Sequence, residues 1–346
     1  MCILRINIKE STMLILGIES SCDETGLALY SEDHGLIAHL VNSQIDLFTE
    51  YGGVIPEIAA RDHSVKIIGI LKQLLKQTNH KLNDIDLIAY TAGPGLIGSL
   101  MIGETVAKTI ANVLNIELLP INHLEGHILA PGLEEDGLEP PYLCLLVSGG
   151  HTQIIRCDGY GKYKIIGETI DDACGEAFDK VGKLLNLEYP GGPKVSQLAE
   201  NGDSHRFKFP RAMMKDKNLN FSFSGLKTAV LYALEDLNEG DHADVAASFQ
   251  EAVIDALTTK LTWAVQDTKI HKLVCSGGVA SNKLLRERLK QMAVNNNLEV
   301  SYPRMEFCTD NAAMIAYAGF IRKKFKLPTY STNYARPRWP LGELYD

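Results

Sequence analysis

The chain has 346 residues, 45% of them hydrophobic, with a formal net charge of −9. At roughly 100–200 residues per domain this is enough for two compact cores, and the composition is that of an ordinary soluble globular protein. The negative charge excludes attraction of the whole surface to nucleic acid, so any such partner must meet a local basic patch.

Taken in chain order, residues 1–12 read as a disordered extension or a misplaced start ahead of Met13. Residues 14–30 predict strand, tight polar turn, strand. Residues 56–78 predict a helix, with Pro56 near its start and apolar residues at 68, 71, 74 and 75. "DLIAYTAGPGLIGSLMIGETVAKTIANVL" predicts strand, glycine turn, helix, and a short strand follows near 115–119. A second series begins at 141–157, again strand, turn, strand, with a further strand at "YKIIGET". Helical patterns fill 171–186, 193–201, 223–236 and 243–267. Residues 271–294 predict strand, glycine turn and helix. A short strand at 298–302, a helix at about 311–325 and a polar tail close the chain.

Seven cysteines without a CxxC pair predict free thiols in a reducing compartment. No signal peptide is evident, and the longest charge-free window, Leu87–Gly103, is too glycine-rich for a membrane span. A cytoplasmic protein with no membrane partner is expected. Charge is unevenly placed: residues 13–60 hold eight acids and no Lys or Arg, whereas 205–227 hold six Lys or Arg and one acid. On patterning alone such clusters are equally well solvated faces.

Three features carry chemistry. "CLLVSGGHT" and "KLVCSGGVA" each end an apolar strand in Ser-Gly-Gly. Glycine permits close backbone approach, so such turns present N–H groups to phosphate. With the acidic hairpin at 19–26 they fit two similar lobes closing on a nucleotide. The third is "NHLEGH", which puts His123 and His127 four apart on one helix face, able to share a cation or simply to sit on a surface. A third ligand is needed, and Asp310 in "CTDNAAMIA" is the best candidate. A zinc protease needs H-E-x-x-H. Here Glu125 lies two residues after His123, about 200° round the helix, and points away from both histidines.

"GIESSCDETG", "TAGPGLIGSL", "NHLEGH", "LVSGGHT", "DDACGEAFDKVGKLL", "YPGGP", "FSFSGLKTA", "CSGGVASN" and "CTDNAAMIAYAG", in this order and spacing, resemble the TsaD family of tRNA threonylcarbamoyladenosine transferases. The resemblance runs from about Met13 to the tail. It implies an α/β fold of the actin-like, Hsp70-like and sugar-kinase superfamily: two lobes with a duplicated RNase H-like core. The expected division is subdomain I at 13–117 plus 302–335, subdomain II at 118–301, and a tail at 336–346. It implies transfer of the threonylcarbamoyl group of threonylcarbamoyl-AMP to the N6 amine of adenosine 37 in tRNAs reading ANN codons, giving t6A and AMP.

The resemblance also implies one metal, Fe2+ or Zn2+, on His123, His127 and Asp310. It places the adenylate and threonylcarbamoyl groups against Leu146, Val147, Ser148, Gly149, Gly150, Asp179, Gly192 and Asn282. Ser20, Asp23, Glu24 and His151 fall on the phosphate side, with Asp23 or His151 as the base. The N–H groups of 148–150 are expected to neutralise the leaving phosphate. Structural alternatives stand beside these roles: Asp179 pairing with Lys183, Asn282 as a helix cap, Asp23 and Glu24 as turn residues. Expected partners are the tRNA anticodon loop, a TsaB-like paralogue and a TsaE-like ATPase. For tRNA contact, Lys208 and Arg211 are favoured, with Arg206, Lys215 and Lys217 beside them. The tail side adds Arg322, Lys323, Lys324, Lys326, Arg336 and Arg338. A small-molecule kinase or ATPase of the same superfamily is the competing reading, but has no use for the histidine pair. A non-catalytic scaffold would tolerate loss of Asp310 or the glycine turns, and both are intact.

Overall fold

The computed structural model describes residues 12–134, 138–215, 217–235, 237–329 and 334–344. The expected extension therefore lies, but for residue 12, outside the described residues. The first half gives β1 (Leu14–Glu19), β2 (Glu24–Ser31), β3 (Gly35–Ser43), α1 (Ile45–Phe48), α2 (Pro56–Thr78), β4 (Leu87–Gly93), α3 (Ile97–Leu114) and β5 (Glu117–Asn122). Next come α4 (His123–Leu129), β6 (Tyr142–Val147), β7 (Thr152–Gly159), β8 (Lys162–Glu168), α5 (Cys174–Leu184), α6 (Gly191–Ala199), α7 (Ser224–Leu234) and α8 (His242–Thr268). The chain finishes with β9 (Lys272–Ser276), α9 (Lys283–Asn296), β10 (Glu299–Ser301) and α10 (Ala312–Lys324).

Two five-stranded sheets share one topology. The first runs β3-β2-β1-β4-β5 and the second β8-β7-β6-β9-β10. In each, the first three strands form an antiparallel meander, and the last two join the first in parallel. The duplicated core expected from the two Ser-Gly-Gly strands is present.

Strand alternation sorts side chains between the faces. Ile15, Ala28, Ala89 and Ile121 pack on α10, while Leu16, Ile18, Leu27 and Tyr90 face the opposite side, towards α2 and α3. In the second sheet Leu143, Leu145 and Val147 meet the helices of their own half. Tyr142, Cys144 and Leu146 instead belong to the same core as β1 and α4. The lobes are therefore joined by shared apolar packing.

The tail departs from expectation. Trp339, Leu341 and Leu344 are buried in the joint core. The Arg336 N–H donates to the Ala92 carbonyl (2.6 Å), and Asn122 Nδ2 donates to the Trp339 carbonyl (2.9 Å). The tail is a structural strap closed on the first sheet's glycine turn, because its apolar residues recur among polar ones and find a slot there. Six described cysteines are free thiols, and no described helix is long and apolar enough to cross a membrane.

Candidate active site

The histidine helix starts where β5 ends. Asn122 caps it, its side-chain oxygen accepting from the Leu124 and Glu125 N–H groups at 2.9 and 3.3 Å. His123 and His127 then share one face, rings 4.7 Å apart at 88°. Asp310 arrives from the segment before α10. Its Oδ1 lies 3.4 Å from His123 Nε2 and 3.0 Å from His127 Nε2, and ligand atoms of the three residues lie within 4.8 Å of one another. Glu125 turns the other way, as its place on the helix predicts. It is buried, pairs with Arg322 Nε at 2.7 Å and accepts from the Tyr163 hydroxyl at 3.1 Å, so it is no general base for this cluster.

Two nitrogens and one carboxylate oxygen suit iron or zinc. The surrounding bonds leave the right atoms for a cation. His123 Nδ1 lies 3.0 Å from Glu19 Oε2 and 3.2 Å from Ser21 Oγ, which leaves Nε2 towards Asp310. This is the carboxylate–histidine arrangement that orients ligands at metal centres. Glu19, fully buried at the end of β1, is also fixed by Thr91 Oγ1 at 2.7 Å. Burial alone would raise the carboxyls of Glu19 and Asp310, but the charge of His123 and its bonds to them hold both below the usual range. Burial likewise opposes charge on His123, and Asp310 and Glu19 overcome it to hold the imidazole well above its ordinary value. The pocket is built to stabilise positive charge between two carboxylates.

The turn after β1 brings Asp23 and Glu24 to the same place. Burial first, then the charges of Asp310 and Asp23, push the Glu24 carboxyl well above its ordinary range. Ser20 does not line this side. It is closed off from solvent, its hydroxyl donating to the Ser99 carbonyl at 2.9 Å and abutting Gly103 where α3 crosses β1.

The first Ser-Gly-Gly turn joins β6, which ends in Leu146 and Val147, to β7. The Ser148 N–H donates to the His151 carbonyl at 2.8 Å, and the His151 N–H to Ser148 Oγ at 3.0 Å. The Ser148 N–H is therefore spent on closing the turn and is not offered to a phosphate. Gly149 and Gly150 are exposed, and a Cβ on either would meet nothing within 4 Å. His151 is pushed down to about 4, by burial first and then by His123 and His127, so it is neutral at pH 7.

"YPGGP" joins α5 to α6. Asp179 Oδ1 accepts from the Gly191 and Gly192 N–H groups at 2.8 and 3.2 Å, so it braces this turn rather than pairing with Lys183. Burial raises its carboxyl, with Asp23 adding to the effect. Tyr189 opens the "YPGGP" motif, though the sequence gives it no role of its own. Burial, and then the charges of Asp23 and Asp179, raise its hydroxyl. Asn282 acts as the helix cap, accepting from Leu285 N–H at 3.0 Å, and its amide donates to Ser196 Oγ and Gln250 Oε1, each at 2.8 Å. Its side chain is committed to the scaffold of the second turn.

Lys208 is exposed, but Arg211 is held by Asp255 at 2.7 Å and Arg206 by Asp241 and Asp244, both at 2.6 Å. On the tail side, Arg322 is buried against Glu125 and Lys323 pairs with Glu117 at 2.7 Å. Arg336 approaches Glu343 at 3.4 Å.

The fold defines a two-lobed α/β protein with duplicated five-stranded cores, and its His-His-Asp cluster sits on α4, which packs against both sheets, and on the segment before α10. The family model for TsaD, tRNA N6-adenosine threonylcarbamoyltransferase, matches residues 35–317. A tRNA N6-adenosine threonylcarbamoyltransferase from Methylobacillus flagellatus is 51% identical over 336 residues, covering 96% of this chain and 99% of that protein. The chain belongs to the TsaD family of tRNA-modifying transferases. Among solved structures, T. kodakarensis HypF superimposes with a TM-score of 0.63 at 16% identity, over 91% of this chain and 48% of that one. Component A of (R)-2-hydroxyglutaryl-CoA dehydratase from Acidaminococcus fermentans does so at 0.52 and 13%, over 88% and 96%. These likenesses concern the fold alone, which is the actin-like, Hsp70-like and sugar-kinase fold.

Proposed function

We propose that this chain transfers the threonylcarbamoyl group of threonylcarbamoyl-AMP to the N6 amine of adenosine 37 in tRNAs reading ANN codons. The amine nitrogen attacks the carbamoyl carbon, the bond from that carbon to the phosphate oxygen breaks, AMP leaves and a proton leaves N6. The observation that carries the reading is that the His123–His127–Asp310 cluster acts electrostatically on both Glu24, in the turn after β1, and His151, beside the open Gly149–Gly150 turn. The donor is already an activated anhydride, so the protein's task is orientation, charge stabilisation and exclusion of water. Glycine N–H groups at 149 and 150 face the leaving phosphate. Asp23 or neutral His151 takes the proton. The anticodon loop is single-stranded, so its base can be splayed into the cleft.

His123 Nε2, His127 Nε2 and Asp310 would hold one Fe2+, or Zn2+, with Glu19 fixing the His123 ring. When bound, the cation supplies Lewis-acid charge stabilisation for oxygens of the donor. The protein is read as cytoplasmic, working with a TsaB-like paralogue and a TsaE-like ATPase. In support, the outer faces of α2 and α3 expose Val65, Ile68, Ile97 and Met101. Crosslinks confined to the second lobe would contradict docking there.

The test is a nucleoside assay of tRNA incubated with the donor and purified protein, alongside elemental analysis. His123→Ala and Asp310→Ala are each expected to stay folded and lose both metal and t6A formation, because a shared cation loses most of its affinity with one ligand gone. Full activity in a metal-free double variant would overturn the metal assignment. Absence of t6A with the wild-type protein and its partners would overturn the reaction.

A further inference from the structure

One buried titratable side chain lies outside this machinery yet grips it. The inward stripe of α2 is Ala59, His63, Ile67, Leu71 and Leu74. Four of these are apolar, and His63 is as fully buried as its neighbours. A polar group there must be satisfied. Its Nε2 lies 3.0 Å from the Cys22 carbonyl oxygen and its Nδ1 2.7 Å from Thr25 Oγ1. These partners fix the tautomer. A carbonyl only accepts, so Nε2 carries the proton, and Nδ1 then accepts from the Thr25 hydroxyl. Burial holds His63 below its ordinary value, in keeping with a neutral ring.

Cys22 and Thr25 are the residues immediately before and after Asp23 and Glu24. We infer that His63 is a positioning residue, clamping both ends of the Asp23–Glu24 turn from α2 so that the two carboxyls face the cleft in one arrangement. The turn also has other supports. Ser21 is held by Glu19 and by the Leu96 N–H, and the Asp23 carbonyl accepts from the Gln44 N–H at 3.0 Å. Of α2's described side chains, His63 has hydrogen bonds to both flanks of the pair. An apolar residue would serve the packing of α2 equally well, so burial alone does not account for an imidazole here.

The kinetic half of the test rests on the proposed transfer reaction; the exchange half does not. His63→Leu keeps an apolar filler and removes both bonds, while His63→Gln keeps an amide donor for Cys22 and an acceptor for Thr25. Thr25→Val removes one bond with little change of shape and serves if the leucine variant does not fold. Amide hydrogen exchange over residues 19–27 is expected to speed up in His63→Leu and Thr25→Val, and to stay near wild type in His63→Gln. In the t6A assay kcat should fall about 100-fold in the leucine variant, the scale of a catalytic group misplaced by about 1 Å. KM for donor and tRNA should stay within a few-fold, and glutamine should recover most of the loss. Wild-type exchange and kcat in His63→Leu and Thr25→Val would overturn the proposal, as would equal impairment of the leucine and glutamine variants. Faster exchange in the leucine variant, with a wild-type protein that makes no t6A, would instead count against the reaction and leave the clamp standing.

Discussion

Gly149 and Gly277 hold equivalent places in the two Ser-Gly-Gly turns, and a side chain would do opposite things at the two. At Gly149 a Cβ meets nothing within 4 Å. At Gly277 φ is +93° and a Cβ would strike the Val147 carbonyl oxygen, where β9 runs beside β6. The first glycine is free to serve a ligand; the second is required by the backbone. Gly149→Val is therefore expected to unfold at the wild-type temperature and to bind an adenylate analogue at least about 10-fold more weakly by calorimetry, since its side chain occupies space through which a phosphate reaches the backbone. Gly277→Val should lose about 2 kcal/mol or more of stability in denaturant titration, from strain and overpacking together. Unchanged affinity in a folded Gly149→Val protein would mean that this turn only reverses the chain. Neither difference shows in the letters Ser-Gly-Gly, which are the same in both. Glu19 escapes a reading of the sequence for a similar reason: a single acid ending an apolar strand reads as the strand's exit, and only the fold shows that it is buried against His123.

Among elements, α4 and α10 decide whether the proposed metal-ligand set comes together, because His123 and His127 ride on one and Asp310 leads into the other. Their tie is the buried Arg322–Glu125 pair, with exposures of 1% and 0%. Removing one partner of a buried pair strands the other charge. Arg322→Met should cost about 3–5 kcal/mol in urea unfolding, and adding Glu125→Gln should recover part of it. Additive losses would show that the two side chains do not act as a pair. The element order is largely legible in the sequence. The helix at 56–78 is found at those bounds, since Pro56 starts it and its buried stripe repeats at helical spacing. By contrast β3 is not legible, because as the outer strand of its sheet it is mostly half-exposed and lacks a clean alternation. The tail reads as polar because the buried residues among its charges, Trp339, Leu341 and Leu344, are too few to make a period. Asp310 lies 183 positions from His127, so no spacing rule joins them. Asp310 enters as a candidate third ligand and the family resemblance completes the grouping, while the fold supplies the physical reason by packing α10 on α4.

For the molecule as a whole, a charge of −9 leaves tRNA binding to whatever cations are free of internal partners. The structure redraws that set. Arg206 and Arg211 are paired within the second lobe, and the tail-side group is diminished by Arg322 and Lys323. Lys208, Lys215 and Lys217 are exposed. The last two lie on a braced segment: buried Lys260 donates from Nζ to the carbonyls of Met213 and Asn218 at 2.8 and 2.6 Å. An ammonium held this way costs burial and gains two strong bonds. It fixes the backbone on both sides of Lys215 and Lys217 without adding to the surface charge. From Asn218 the chain runs to Phe221, whose N–H donates to the Glu168 carbonyl at 2.8 Å, and on to Phe223, whose N–H donates to Asp171 at 2.8 Å where α7 starts. Asp171 lies shortly before α5, whose Gly175 N–H donates to the Ser148 carbonyl, so the basic segment is tied through two short links to the candidate phosphate turn. Neutralising Lys208, Lys215 and Lys217 together to glutamine should weaken tRNA binding. It should also flatten the slope of log affinity against log salt by about 2–3, at about 0.7–0.9 for each phosphate no longer neutralised. Affinity for the adenylate analogue should not change, because all three side chains are exposed on the surface. Filter binding across a salt series reads both quantities, and a triple variant with the wild-type slope would reduce this segment to an ordinary solvated face.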